Sequence, residues 1–360
     1  MQRRVPLPSV QPAEAGGLDV KEAVYSRLDS APPIWGAPHS LEECATLSVP
    51  NVGGSGSGWT IQGHSIAGER TGFVIQELKL FLDGGMSAYR QPSNILVTHS
   101  HIDHTKGLID TAMGGMDVRH GPAELLDASL PPVYIVQEAV EPVQLMARAV
   151  SALNTCRALK DRQAMNVLGV SCGDEMVLPC GKKGGTKVHV RVVKCVHTVP
   201  CVGYVLSTVS RKLLPELEGA GSEEIARRKK EGQEVTTEVR KPIMAFLGDT
   251  TPAVFEENEG LEKVPTVFVE CTGYLPGTEE KMASRGHTHW SVLRPVVERN
   301  RDTTFVLMHI SQGVKEGDAV NALVASGLPN VILWLDSGVV EIRQLLPTDQ
   351  DSGGAEGSHG

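Results

Sequence analysis

Three histidines and one aspartate fall within six consecutive positions of this chain, in the segment His99-Ser-His101-Ile-Asp103-His104. Neutral imidazole and carboxylate groups are ligands that zinc and similar divalent ions take in proteins. Two histidines separated by one residue can converge on one ion from a turn, and the Asp-His pair that follows can face a second ion. The chain has 12 histidines among 360 residues, so this local density is improbable by chance and predicts a metal site.

A predicted strand positions this segment. Residues 94–98, which read as a buried strand with the apolar centre Ile-Leu-Val, lead directly into His99, and sites in sheet proteins are built in the loops at the carboxyl ends of strands. Three other short strand candidates come earlier, at residues 60–66, 72–75 and 78–82. Later in the chain, predicted strands and helices alternate, as in the strand 303–308 and the helix 315–325. This order predicts a mixed α/β (α+β) fold in which helices cover two sheets, an αββα sandwich.

The predicted folded domain covers residues 58–346. Residues 1–57 are rich in Pro, Gly and Ser and are expected to form an irregular N-terminal extension. Residues 347–360 are polar and Gly-rich and are expected to be a disordered tail. Residues 211–241 are dense in charge and poor in large apolar side chains, which predicts a surface insertion.

The composition restricts the classes of protein that remain. The seven cysteines include no Cys-x-x-Cys pair, which argues against a disulfide framework or a thiolate zinc site. The net charge of −9 argues against a uniformly basic surface. No apolar run reaches the roughly 18 residues of a membrane span, and no secretory signal is recognisable, so no membrane partner is expected. The predicted location is cytoplasmic or nuclear, with a mitochondrial address left open.

The pattern His-x-His-x-Asp-His after an apolar strand resembles the signature of the metallo-β-lactamase superfamily. That resemblance implies three further ligands, each at a strand end: a histidine, a bridging aspartate and a last histidine. His197, Asp249 and His309 stand in this order after predicted strands. Each of them taken singly could instead cap a turn or pack in the core, and His189 is a nearby rival of His197.

The resemblance implies two divalent metal ions, zinc in the first place, with manganese or iron as alternatives. The implied ligands are His99, His101 and His197 for one ion, Asp103, His104 and His309 for the other, and Asp249 as the bridge. Asp83 matches an aspartate that orients a ligand histidine in the family, although a turn before Gly84 explains it equally well. Two ions lower the pKa of a shared water and neutralise charge on the scissile group, so this ligand set indicates hydrolysis without fixing the substrate.

Two later motifs resemble the tRNase Z branch, which cuts tRNA at its 3′ end. Glu270-Cys-Thr follows Gly-Asp-Thr, and His289-Trp-Ser follows in turn. A glutamate bonded to a histidine can keep the imidazole protonated, and such an imidazole can protonate a leaving ribose oxygen. The predicted catalytic residues are therefore Asp103, Glu270 and His289, with His289 preferred to His287. A helix-capping cluster is the alternative for this histidine motif.

The chain also departs from that branch. The interval between His197 and Asp249 contains no Gly-Pro tip of the kind that the branch's tRNA-gripping exosite arm carries, so no such arm is recognisable. The interval does contain a basic run that can touch phosphates, or can simply form a solvated helix face: Arg227, Arg228, Lys229 and Lys230.

The resemblance therefore implies a metal-dependent phosphodiesterase or endoribonuclease that acts on RNA, tRNA being one candidate. A thioesterase similar to glyoxalase II and a catalytically quiet RNA-binding relative are the alternatives. A homodimer is also implied, since the tRNase Z branch forms dimers.

Overall fold

A computed structural model describes residues 41, 44–50, 58–88, 92–113, 130–156, 165–181 and 184–347. The predicted disordered tail, apart from Pro347, and most of the predicted N-terminal extension lie outside these residues. Among the described residues, no helix combines the length and the apolar character that crossing a membrane requires.

The first sheet is antiparallel at one side and parallel at the other. Its strands run in the order β1 to β7, antiparallel from β1 to β4 and parallel from β4 to β7, and the short β14 pairs with β2. The strands are β1 (Ala45–Val49), β2 (Trp59–Ala67), β3 (Arg70–Ile75), β4 (Leu80–Leu82), β5 (Asn94–Leu96), β6 (Val133–Val136), β7 (Val167–Val170) and β14 (Ile310–Ser311).

The second sheet has the order β16-β15-β13-β12-β11-β10-β9-β8. Its strands β11, β12, β13 and β15 are parallel, so their carboxyl ends open at one edge. The strands are β8 (Glu175–Cys180), β9 (Thr186–Lys194), β10 (Val202–Leu213), β11 (Thr236–Phe246), β12 (Thr266–Glu270), β13 (Thr304–Met308), β15 (Val331–Leu335) and β16 (Gly338–Glu341).

Helices occupy the connections between the strands. They are α1 (Ile102–Thr105), α2 (Leu108–Met113), α3 (Val140–Thr155), α4 (Ser222–Lys230), α5 (Val254–Glu257), α6 (Glu279–Ser284), α7 (Trp290–Arg299) and α8 (Glu316–Val324). Apolar faces of α7 and α8 pack on the outer face of the second sheet, as shown by the buried Leu293, Val297 and Leu323. The predicted sandwich of two sheets covered by helices is confirmed.

The two sheets pack face to face through aromatic side chains. The Phe73 ring on β3 meets Phe246, Phe268 and Trp334 of the second sheet edge-on, with centroids 5.6, 5.9 and 5.0 Å away. Edge-to-face pairs add to the stabilisation that burial provides. This core holds the two sheets in a fixed relation, and the loops at their shared edge are fixed with it.

The expected irregular structure of residues 1–57 is wrong for part of that range. Ala45–Val49 forms β1, which pairs antiparallel with β2 from Ala45 opposite Gly63 to Val49 opposite Trp59. The buried Val49 packs in the core. Pairing with the β2 edge and this burial stabilise a strand that the surrounding Gly and Ser residues obscure in the sequence.

The charged segment 211–241, predicted as a surface insertion, contains ordered strands and a helix. Beyond Thr208, β10 leaves β9 and pairs with β11 as far as Leu213 opposite Thr236. Helix α4 lies at the far end of this two-stranded ribbon and has no buried residue. Residues 209–240 are called the arm below. The sequence analysis found no recognisable exosite arm in this interval because the Gly-Pro motif is missing. The structure nevertheless forms a paired ribbon here, since two strands can pair without that motif.

Candidate metal centre

The segment after β5 carries four ligand-type side chains. His99 lies in the loop, His101 precedes α1, and Asp103 and His104 lie in the first turn of that helix. The side chains of His99, Asp103 and His104 are buried, and His101 is partly exposed. The strand and the short helix together direct all four groups into one space between the sheets.

Three other strand ends reach the same space. His197 follows β9, Asp249 follows β11 and His309 follows β13. These ligand atoms include two groups within each of which all atoms lie within 4.8 Å of one another: His99, His101, His197 and Asp249, and Asp103, His104 and His309. A third group of the same kind joins Asp249 and His309 to His287. The structure thus brings together every metal-ligating residue predicted from the sequence.

Asp249 lies between the two groups and offers one oxygen to each. Its Oδ1 lies 3.2 Å from His104 Nε2 and 3.3 Å from His309 Nε2. Its Oδ2 lies 3.7 Å from His99 Nε2 and 3.8 Å from His197 Nε2. A carboxylate that bridges two ions needs its two oxygens directed at different ligand sets, and Asp249 has this arrangement.

The chemistry of these groups fits divalent cations. His99 Nε2 and Asp249 Oδ1 are buried and have no hydrogen-bond partner, which is costly unless another group satisfies them. Burial and the nearby His104 hold the pKa of His99 well below its ordinary value, so its imidazole is neutral and can ligate. Burial opposes ionisation of Asp249, but His309 and His104 outweigh burial and hold its pKa well below the usual range.

Asp83 binds the Nδ1 atom of the candidate ligand His104, on the side of the ring away from Asp249. Its Oδ2 lies 2.8 Å from His104 Nδ1, and its Oδ1 accepts hydrogen bonds from the Thr98 N–H and hydroxyl at 2.7 and 2.9 Å. With Nδ1 bound to Asp83, the Nε2 atom of His104 faces Asp249. Burial lowers the pKa of His104, but Asp249 and Asp83 raise it well above its ordinary value, so an ion that binds here displaces a proton.

We expect the substitution Asp83→Asn to weaken metal binding by roughly 10- to 100-fold, the usual effect of losing a partner of a ligand histidine. Asparagine keeps the side-chain shape and tolerates the positive φ of 59° at this position, so the backbone should be preserved. Competition with a chromophoric chelator measures the affinity, and Asp302→Asn, at an exposed position, is the control. An unchanged affinity would leave Asp83 as a turn residue only.

The other histidines are oriented by backbone and hydroxyl groups. His197 Nδ1 lies 2.9 Å from the Gly286 carbonyl oxygen, which can only accept, so Nδ1 carries the hydrogen and Nε2, 3.2 Å from His101 Nδ1, has a lone pair for an ion. His309 Nδ1 lies 3.1 Å from the Thr272 hydroxyl. His189, the rival of His197 in the sequence, lies instead on the outer face of the second sheet with Glu175.

Glu270 is a fully buried carboxylate at the end of β12. It accepts hydrogen bonds from the N–H groups of Thr250 and Thr288 at 3.0 and 3.1 Å and from the Thr272 hydroxyl at 2.6 Å. Its Oε1 also lies 2.8 Å from His287 Nδ1. Burial lowers the pKa of His287, but this hydrogen bond and the charge of Glu270 outweigh it, so the pKa is raised above its ordinary value.

The predicted pair of Glu270 with His289 is therefore wrong, and His287 occupies that place. His289 is the N-cap of α7, and its Nδ1 accepts from the Ser291 N–H at 3.2 Å. Its Nε2 faces the Leu275 carbonyl oxygen at 3.1 Å. His289 therefore caps the helix, which was the alternative interpretation of this motif. His287 lies beside the candidate metal centre, with its Nδ1 3.9 Å from Asp249 Oδ2.

The backbone of the loop before α7 separates the two histidines. Gly286 has a φ of 70°, and a Cβ placed on it would lie 2.9 Å from His197 Nδ1. A glycine directly before a histidine thus marks the point where this loop passes close to a candidate ligand. His289 directly precedes α7, and its ring accepts a hydrogen bond from the Ser291 N–H as an N-cap side chain does.

The basic run of the arm is partly neutralised within its own helix. Arg227 and Arg228 both bind Glu224, and Arg227 also binds Glu231. Lys229 and Lys230 have no ion pair with any residue in the described part of the chain. The run lies on the exposed α4, so the structure places it apart from the cluster of histidines.

Comparison with known proteins gives the chain its family. No family model matches it. It is 30% identical over 277 residues to tRNase Z TRZ1 of Arabidopsis thaliana, covering 74% of this chain and 91% of the relative. It is 25% identical over 276 residues to the chloroplastic tRNase Z TRZ2 of the same plant, covering 74% and 72%. A solved structure of the short form of human tRNase Z is 14% identical with a TM-score of 0.40, covering 83% of this chain and 97% of that one.

Two mixed sheets covered by helices, with histidines and aspartates gathered at their shared edge, define a protein of the metallo-β-lactamase fold. Within that superfamily the chain belongs to the tRNase Z family. Enzymes of this family are metal-dependent endoribonucleases, which is the class that the sequence predicted.

Proposed function

We propose that this protein is a tRNA 3′-end processing endoribonuclease that uses two divalent metal ions, zinc in the first place. The observation that supports it best is the position of Asp249 between two ligand sets, with the Glu270–His287 pair beside it. His99, His101 and His197 would hold one ion, Asp103, His104 and His309 would hold the other, and Asp249 would serve both. When bound, two such ions supply a hydroxide nucleophile and neutralise charge on the phosphodiester.

Asp103 orients the attacking side of the site. Burial raises its pKa, but the hydrogen bond from His309 and the charge of His104 outweigh this and hold the pKa far below its usual range. The carboxylate is therefore ionised, and its Oδ2 accepts a hydrogen bond from the Gly68 N–H at 2.8 Å. An ionised and fixed Asp103 can hold a water molecule in position by accepting its hydrogen.

His287 serves the leaving side. Its Nδ1 is held by Glu270, and its Nε2 makes no hydrogen bond to any residue that the structure describes. A protonated imidazole in this state can donate the Nε2 hydrogen to the departing ribose oxygen. Glu270 keeps the proton on the ring and sets its direction, so it acts through His287 and does not touch the substrate.

The arm provides the surface through which the RNA is held outside the centre. Lys229 and Lys230, which have no ion pair with a described residue, and the neighbouring Arg227 and Arg228 can contact backbone phosphates. We place the enzyme in the cytoplasm or nucleus, where the free cysteines stay reduced, and expect it to form a homodimer.

The direct test is cleavage of a precursor tRNA with a 3′ trailer by the zinc-loaded protein, beside a chromogenic phosphodiester. We expect one cut at the tRNA 3′ end. Replacing Arg227, Arg228, Lys229 and Lys230 together by glutamine should raise KM for the tRNA and leave hydrolysis of the small phosphodiester unchanged, because only the RNA reaches the arm.

Two outcomes would contradict the proposal in different ways. Hydrolysis of the small phosphodiester alone would keep the metal chemistry and reject tRNA as the substrate. No reaction with either substrate, while metal is bound, would reject phosphodiester chemistry and favour a thioester substrate.

A further inference from the structure

A cavity of about 530 Å³ lies on the outer face of the second sheet, at the base of the arm. Strands β8 to β11 and the loop before β12 line it. Its charged and titratable lining residues are Glu175, His189, Arg191, Arg240 and Lys263. None of the residues assigned to the metal centre lines this cavity.

The cavity is well separated from that centre. Pro265 lines the cavity and directly precedes β12, whereas Glu270 ends the same strand beside His287. At about 3.3 Å per residue, these ends of the strand lie roughly 16 Å apart. A ligand in the cavity would therefore not contact the candidate metal ligands unless it were long.

The charges of the cavity favour an anion. Three cations, Arg191, Arg240 and Lys263, face one carboxylate, Glu175. Arg240 is paired with Glu175 and Glu238. The side chains of Arg191 and Lys263 have no ion pair or hydrogen bond with any residue in the described ranges. Two uncompensated cations in a concave site attract negative charge more strongly than they would on an open surface.

His189 supplies a second and independent observation. This side chain is buried, and its Nε2 lies 2.8 Å from Arg240 Nη1 and 3.2 Å from Glu175 Oε2. An imidazole nitrogen either carries a hydrogen or offers a lone pair. As an acceptor, Nε2 binds Arg240 and repels the carboxylate; as a donor, it binds Glu175 and repels the guanidinium. The two contacts cannot both be favourable.

An anion in the cavity resolves this conflict. If the guanidinium of Arg240 turned its hydrogen bond to the anion, Nε2 of His189 would be free to donate to Glu175. All three groups would then have a favourable partner. The conflict around His189 is thus relieved by a ligand of the same charge sign that Arg191 and Lys263 attract.

We propose that this cavity is a binding site for a phosphate group, held by Arg191, Arg240 and Lys263. Two guanidinium groups suit the tetrahedral oxygens of phosphate, each through a planar fork of donors. The phosphate can belong to the backbone of an RNA or to a free phosphorylated compound. The site stands independently of the function proposed for the metal centre.

Protection of Lys263 from acetylation tests the site locally in the intact protein. Inorganic phosphate, compared with sodium chloride at equal ionic strength, should slow labelling of Lys263 and leave the exposed Lys194 unchanged, as read by mass spectrometry. Arg191→Gln should raise the phosphate concentration for half-protection by roughly tenfold or more, the effect of losing one charge-assisted hydrogen bond. Arg301→Gln, outside the cavity, is the matched control.

Equal labelling of Lys263 in phosphate and in chloride would overturn the proposal, and this comparison needs no variant to fold. A single-stranded RNA without terminal phosphates separates the two sources. Protection by that RNA assigns the site to the backbone of a nucleic acid, and protection by inorganic phosphate alone assigns it to a free compound. Since no cleavage is measured, failure here is distinct from failure of the proposed ribonuclease activity.

Discussion

The substitution Asp249→Asn should reduce phosphodiester hydrolysis by roughly a thousandfold or more and lower the metal content of the purified protein. Each Asp249 oxygen faces a different group of candidate ligands, at 3.2 to 3.8 Å from their nitrogens, so both ions depend on this carboxylate. Bound ions contribute several kcal/mol of charge stabilisation in the transition state, and about 1.4 kcal/mol corresponds to tenfold in rate.

Elemental analysis and the rate on a chromogenic phosphodiester, measured on the same preparation, check this prediction. Asparagine preserves the volume of the buried side chain, so the effect reports the lost charge and not a cavity. Asp302→Asn serves again as the control at an exposed position. Retention of two ions per chain with a nearly normal rate would remove Asp249 from the role of a bridge.

The residues predicted as metal ligands lie together in the structure, and their simple order along the chain explains why the sequence could indicate this. His99, His101, Asp103 and His104 are neighbours in the chain, and the later ligand types each follow an apolar strand. Parallel strands of one sheet end at the same edge, so residues far apart in sequence meet there. Neither step requires knowledge of a side-chain rotamer.

The Glu270 partner could not be predicted in the same way. His287 and His289 are two residues apart, and which of them reaches Glu270 depends on the path of the loop between α6 and α7. That path is set by contacts distant in sequence, such as the approach of Gly286 to His197 and the bridge of Gly273 with His289. A residue pattern contains no direct record of these contacts.

Strand β1 and the arm were missed for a related reason. The sequence of residues 45–49 becomes a strand because an edge of β2 is available for pairing. The arm is rich in charged residues and has few buried side chains, yet backbone hydrogen bonds hold its five strand pairs, from Val209 opposite Arg240 to Leu213 opposite Thr236. Edge pairing of this kind depends on tertiary structure, which overrides local propensity.

The pair of substitutions His287→Ala and His289→Ala should separate the two histidines by function. His287→Ala should lower kcat for RNA by roughly 100- to 10,000-fold, the range for loss of a general acid, with the metal content unchanged. His289→Ala should leave kcat within a few-fold and reduce the free energy of unfolding by about 1 kcal/mol, because it removes the N-cap of α7.

The leaving group provides the readout that a merely structural role would not change. Nitrophenolate departs without needing a proton, whereas the ribose oxygen of RNA must be protonated as it leaves. If His287 donates that proton from Nε2, His287→Ala should slow RNA cleavage strongly and hydrolysis of a nitrophenyl phosphodiester only weakly. Glu270→Gln should show the same contrast in weaker form, since Glu270 acts by holding the proton on His287. Equal losses of rate on both substrates would instead mean that His287 supports the metal ligands. A larger loss of RNA cleavage in His289→Ala than in His287→Ala would assign the role of general acid to His289.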